Sequence, residues 1–245
     1  MDKIERLKEL TELLQEASYA YYGQDNPIMS DKKYDELYDE LSKLEKETGC
    51  ILAGSPTQKV QGYILDGFNK VEHSKPMLSA NKTKDIEEIK RFINSENFYC
   101  SYKLDGLTLV VKYVDGKFAQ GITRGNGIIG EDVTEQCKFI KNLPMQISNK
   151  NPIELRGECV ISWEEFRRIN NQLEEPYSHP RNLAAGTLRN LDLNIIRERN
   201  LSFVVFEIVS PDFMYKWDGL KVLDELGFEC VGRCKGKVED CLEGM

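Results

Sequence analysis

The 245-residue chain is long enough to bury a full core, as one large domain or as a small one joined to a larger one. Hydrophobic residues at 40% and charged residues at 30% suit a globular protein, and a net charge of −8 argues against a general polyanion-binding surface. Any nucleic-acid contact must therefore come from a local basic patch or from a partner. No apolar run is long enough to cross a bilayer, and Met1-Asp2-Lys3 leads straight into an amphipathic pattern rather than a leader. The expectation is a cytoplasmic chain with no membrane partner. Seven cysteines (50, 100, 137, 159, 230, 234, 241) are odd in number and scattered, and read as reduced thiols. Cys230, Cys234 and Cys241 lack Cys-x-x-Cys spacing and a fourth ligand, so no metal site is expected there.

In chain order, Ile4, Leu7, Leu10, Leu14 and Ala17 give a helical stripe over residues 2–22, ending in Tyr19, Tyr21, Tyr22 and Gly23. Ser30 is the expected cap of a second helix with Tyr34, Leu37, Tyr38, Leu41 and Leu44 on one face. The corner of this α-hairpin crowds Tyr21, Tyr22, Asp31, Tyr34 and Asp35, although Asp31 also complements the helix dipole. Residues 54–67, with Ser55-Pro56 and further glycines, read as a linker, which sets the expected domains at 1–66 and 67–245. Pro76-Met77-Leu78-Ser79-Ala80-Asn81 is a short extended segment, and Thr83 is the expected cap of a helix carrying Ile86, Ile89, Phe92 and Ile93.

The pattern then predicts strands over 98–103, 107–114 and 117–123, with Asp115-Gly116 as the hairpin signal. Lys103, two residues before Asp105-Gly106, ends the first of these; held in a cleft, such an amine can lose its proton and act as a nucleophile. The glycine-dense run from Thr123 through Arg124-Gly125-Asn126-Gly127 to Gly130-Glu131-Asp132 lets backbone approach a ligand, or is a flexible hairpin loop. Arg124 could there meet a phosphate or ribose. Asp132 is the expected start of a helix to about Ile140. A strand over 153–161 carries Arg156-Gly157-Glu158, facing a cleft or lying at a sheet edge. Ser162 and Glu165 form a capping box for a helix to Leu173. His179-Pro180 opens a helix containing Arg181 and Arg189, which can track phosphates or form a solvated basic face. A strand over 201–209, a helix over 217–226 closed by Gly227, and a strand with a short helix start after Phe228 complete the chain.

These clusters, colinear over nearly the whole chain, resemble the NAD-dependent, bacterial-type DNA ligases. The resemblance rests on Ser30-Asp31-x-x-Tyr34-Asp35, Ser55-Pro56-Thr57, Pro76-Met77-Leu78-Ser79, Lys103-x-Asp105-Gly106 and Thr123-Arg124-Gly125-Asn126-Gly127. It rests equally on Gly130-Glu131-Asp132-Val133-Thr134, Arg156-Gly157-Glu158, and Pro180-Arg181-Asn182 to Leu188-Arg189. It implies an α+β fold: an N-terminal helical hairpin that recognises NMN, then a ligase/mRNA-capping-type (ATP-grasp-like) nucleotidyltransferase domain with antiparallel sheets. It also implies that Lys103 attacks the α-phosphorus of NAD with Mg²⁺ present, leaving lysyl-AMP, and that AMP passes to a 5′-phosphate at a DNA nick.

By the same resemblance Asp105 orients the lysine, Arg124 contacts AMP, and Glu158 meets the ribose hydroxyls. Ser79 and Ala80 line the adenosine site, and Tyr21, Tyr22, Asp31, Tyr34 and Asp35 grip the NMN half. Arg181 and Arg189 contact the phosphates of nicked double-stranded DNA, in repair and replication, and a monomer is expected. Ser101, beside the adenine, stands where the family has glutamate, and Tyr22 where it has histidine. The resemblance also stops short of the family's late Asp-Gly-Val-Val-x-Lys strand, its further lysine and its DNA-encircling domains. A missing domain or a partner chain would then complete the DNA contact. The alternative expectation is an impaired fragment or remnant that binds NAD or DNA without full ligation.

Overall fold

The computed structural model describes residues 3–23, 27–52, 55–57, 67–78, 81–93 and 98–235. In chain order they form helices α1 (Lys3–Gly23) and α2 (Asp31–Thr48), strand β1 (Lys70–Glu72), helix α3 (Ile86–Phe92) and strand β2 (Tyr99–Ser101). Strands β3 (Leu107–Val114), β4 (Lys117–Thr123) and β5 (Ile129–Glu131) follow, then α4 (Thr134–Cys137), β6 (Ile153–Ile161), α5 (Trp163–Asn170) and α6 (Pro180–Leu188). The last described elements are α7 (Leu193–Glu198), β7 (Leu201–Ser210), α8 (Lys216–Glu225) and β8 (Arg233–Lys235). Helices with antiparallel sheets make the α+β class that the sequence predicts. The described residues fall into two compact units, those within 1–78 together with 124–132 and those within 79–123 together with 133–245.

In the first unit, α1 and α2 form the expected hairpin. Leu7, Leu10 and Leu14 bury against Leu37 and Leu41, each burial being worth roughly 1.5–3 kcal/mol. Arg6 grips Glu40 with two nitrogens at 2.7 and 2.9 Å, which holds that carboxyl below its ordinary range. The Ser30 hydroxyl accepts from the Lys33 amide, as a helix cap should, and Gly49 ends α2 at φ +66°. Buried Glu45 accepts hydrogen bonds from the hydroxyls of Ser55 and Thr57. The Ser55-Pro56-Thr57 motif therefore latches the chain leaving the hairpin onto α2. β1 pairs antiparallel with β5, Val71 opposite Gly130.

The second unit is built on a four-stranded antiparallel sheet in the order β4-β3-β6-β7. Asp115 and Gly116 both adopt positive φ (+51° and +72°) between Val114 and Lys117, which makes the tight hairpin the sequence predicts. One face of β3 and β6 is apolar, with Leu109, Val111, Leu155 and Cys159 fully buried. Arg156-Gly157-Glu158 lies on an interior strand, so the edge-strand reading is excluded.

Several expectations need correction. The strand before Lys103 spans only Tyr99–Ser101 and pairs with β8, a partner more than a hundred residues away that no local signal announces. The cap of α3 is Asp85, whose carboxylate accepts from the Glu87 amide; Thr83 lies just outside, its hydroxyl donating to Glu88 and accepting from the Asp85 amide. The helix expected from Asp132 is the single turn α4, beginning after Val133, and α5 stops at Asn170 rather than Leu173. Half of the capping box forms. Ser162 accepts from the Glu165 amide, while the Glu165 carboxylate turns to Arg168 and the Asn200 amide. That grip pulls the Glu165 carboxyl down to about 2.

Gly157 marks a tight point of the sheet's apolar face. A Cβ there would lie 2.5 Å from the Phe203 ring and 2.6 Å from the Val204 carbonyl oxygen, and the backbone atom cannot yield. Gly157→Ala should therefore lower stability by about 2–4 kcal/mol. Chemical denaturation followed by tryptophan fluorescence measures this, and an unchanged midpoint would contradict the packing described.

Candidate active site

In the second unit, the chain leaves β2, passes Lys103 and Asp105, and enters β3 at Leu107. Gly106 is the residue that lets it dock on β6. A Cβ at Gly106 would fall 2.2 Å from the Cys159 carbonyl oxygen, so only glycine fits. The Gly106 amide donates to Glu158 Oε1 at 3.1 Å, and Thr108, directly across the ladder, adds a side-chain hydrogen bond.

Glu158 is buried, and burial pushes its carboxyl above the ordinary range. The nearby charges of Arg181 and Lys103 and the two hydrogen bonds offset this only in part. Arg181 Nη1 donates to Asp105 Oδ1 at 2.8 Å, and His179 Nδ1 stands 3.9 Å from Asp105 Oδ2. α6 supplies both groups because His179 is its N-cap, accepting from the Arg181 amide, and Pro180 opens the first turn. Lys103, Asp105, Glu158 and Arg181 thus form one cluster drawn from a loop, a strand and a helix. Lys103 is exposed rather than buried in a cleft.

Beyond that cluster the polar face of β6 continues. Arg156 pairs with Glu207 at 3.3 Å, Glu207 with Lys216 at 2.7 Å, and Glu154 with Lys112 at 3.6 Å. Ser101 ends β2, exposed and opposite Arg233. Arg189 is the C-cap of α6, its amide donating back into the helix. The pairing of Arg181 with Asp105 shows that this arginine is no solvated basic face. His179 and Thr108 were not singled out from the sequence, although the His-Pro helix start was a usable signal for the first.

In the first unit, Arg124 follows the end of β4, and its guanidinium approaches the Met77 carbonyl oxygen at 3.4 Å. His73 Nε2 meets the Arg124 carbonyl oxygen at 3.1 Å. The glycine-rich run is a built turn and not a flexible loop. Gly125 and Gly127 have φ +53° and +87°, and Asn126 Oδ1 accepts from the amides of Ile128 and Ile129. Asp31 and Asp35 lie one turn apart on α2, both exposed. Tyr34 shares a 2.8 Å hydrogen bond with Ser18 and stacks on Tyr38. Tyr21 is half-buried in α1. The Tyr22 side chain, Ser79 and Ala80 lie outside the described residues.

Residues 65–242 match the family described as the NAD-dependent DNA ligase adenylation domain. Residues 1–61 match the DNA ligase-like, N-terminal NAD⁺-binding domain. Similar proteins include the DNA ligase of Lachnoclostridium phytofermentans, 41% identical over 99% of this chain and 38% of the relative. The DNA ligase of Ruminiclostridium cellulolyticum is 42% identical over 86% of this chain and 33% of its own length. That of Thermosipho africanus is 39% identical over 92% and 36%. The chain thus spans between a third and two-fifths of the length of these curated relatives.

The raised Glu158 carboxyl has a consequence for stability. Its folded pKa lies above the unfolded one, so between the two the native state holds more protons and stability falls as pH rises from the ordinary carboxylate range. Glu158→Gln, which keeps an oxygen to accept from Gly106, should flatten that part of the stability profile. Denaturant melts between pH 4 and pH 8 test this; an unchanged slope would place the titration elsewhere.

Proposed function

The chain belongs to the NAD-dependent DNA ligase family, and we propose that it is the adenylation module of such an enzyme, taking AMP from NAD for transfer to a 5′-phosphate at a DNA nick. The observation that carries this reading is the convergence of Lys103, Asp105, Glu158 and Arg181. Lys103 Nζ, having given up its proton, forms a bond to the α-phosphorus of NAD. The phosphoanhydride bond breaks, NMN leaves, and a lysyl-AMP phosphoramide remains. The exposure of Lys103 suits a nucleophile that has to meet a large dinucleotide.

Asp105, held by Arg181, orients the lysine and serves the later transfer steps, while Arg181 supplies positive charge where phosphoryl oxygens gain negative charge. Glu158 receives the ribose hydroxyls, Arg124 contacts the AMP sugar or phosphate, and Ser101, Ser79 and Ala80 border the adenosine. Asp31 and Asp35 offer two carboxylates to the cationic nicotinamide ring, with Tyr21, Tyr22 and Tyr34 around it. When bound, Mg²⁺ would draw charge from the phosphate oxygens. Among the described residues no group of three or more His, Cys, Asp or Glu side chains could hold it, so phosphate and water would supply most of its ligands. Arg189 and Arg181 contact DNA phosphates, and sealing of nicked duplex in repair and replication is the activity of the whole assembly. We place the chain in the cytoplasm as a monomer.

Intact-protein mass after incubation with NAD and Mg²⁺, with ATP in parallel, tests the reading. One AMP should be gained from NAD alone, and Lys103→Ala should abolish the gain while leaving the melting profile in place. AMP attached to another residue would overturn the assignment. No gain in folded protein would favour a module that binds NAD or DNA without turnover.

A further inference from the structure

Cys100 and Cys234 stand directly opposite each other across the antiparallel β2–β8 ladder. Residues paired in this way point to the same face with Cα atoms about 4.5–5.5 Å apart. That separation lies inside the Cα range of about 4.4–6.8 Å that a disulfide spans. Neither is in a disulfide; Cys234 is exposed and Cys100 half-exposed.

The other described cysteines are poorly placed to compete. Cys137 and Cys159 are fully buried. Cys230 donates its thiol to the Leu220 carbonyl, and burial first of all pushes it up to about 12, so it is a poor thiolate. Cys50 belongs to the other compact unit. The facing pair lies on the strand that leads to Lys103. The Tyr102 amide donates to the Gly232 carbonyl at 3.1 Å and carries the ladder to the residue before the lysine. β8 is itself anchored, because Arg233 pairs with Asp224 and lies over the Trp217 ring.

We propose that Cys100 and Cys234 are a redox-active dithiol, a site of covalent modification that closes into a cross-strand disulfide by exchange with a low-molecular-weight disulfide. The thiolate of Cys234, the more exposed, attacks one sulfur of the reagent. The reagent's S–S bond breaks and its first thiol leaves. The Cys100 thiolate then displaces the second thiol from the mixed disulfide. The protein loses two protons and two electrons, and one reagent disulfide becomes two thiols. The bond would lock the backbone that delivers Lys103 without changing the register of the strands it joins.

The test uses the full chain with oxidised glutathione as the probe. Intact mass should fall by about 2 Da, return with a thiol reductant, and digestion should yield one peptide pair linking Cys100 to Cys234. Cys100→Ser and Cys234→Ser should each show a glutathione adduct on the surviving cysteine in place of that loss. A lasting adduct with no internal bond in the unsubstituted chain would overturn the proposal. So would a bond to Cys230 or Cys241, or the same mass loss in the doubly substituted protein.

Discussion

The candidate site depends on one close approach, that of Gly106 to β6. Without a side chain, the backbone after Asp105 sits against the Cys159 carbonyl and spends its amide on the Glu158 carboxylate. The amide thereby compensates a carboxyl whose burial would otherwise be costly, since an ionised group out of water needs partners. The same approach sets the distance from Lys103 to β6 and brings Asp105 within reach of the first turn of α6. The ion pair with Arg181 then ties loop, strand and helix together. A local steric fact at one residue thus fixes the relation of four functional groups.

β6 shows how a sheet can hold charge in its middle. Its apolar side buries Leu155 and Cys159, while the other side carries Glu154, Arg156 and Glu158 in alternation. Each has a partner on a neighbouring element: Lys112 on β3, Glu207 on β7, and Thr108 on β3 with Gly106 just before it. Removing one member of such a row strands another away from water, which is costlier than the pair is worth. That asymmetry favours keeping the row whole, with Glu158 at the end where the charge of Lys103 is felt.

What was legible in the sequence was local. The Asp115-Gly116 turn, the Ser30 cap, the proline at the start of α6 and the strand around Arg156-Gly157-Glu158 each rest on a few adjacent residues whose conformational preferences decide the outcome. The pairing of β2 with β8 could not be read, because nothing in Tyr99-Cys100-Ser101 names a distant partner. Arg181 looked like one of two basic residues on a helix face, and only the fold reveals Asp105 opposite it. The glycines after Arg124 suggested room for a ligand or looseness. In the structure they serve a turn whose own side chain, Asn126, is consumed in closing it. Ser55-Pro56-Thr57 read as linker, and its attachment to Glu45 follows from a helix it had already left.

The first compact unit is discontinuous in sequence: its β1 strand finds its partner only in β5, after the chain has passed through β2, β3 and β4. During synthesis the α1–α2 hairpin can close as soon as it emerges, because its contacts are near in the chain. β1 has no such option and must wait, with one ladder edge open, until Ile129–Glu131 has been made and delivered by β4. The glycine-rich turn that precedes β5 is therefore among the last parts of the N-terminal unit to be made, and that unit cannot be complete until its neighbour's β3–β4 hairpin and the turn itself have left the ribosome.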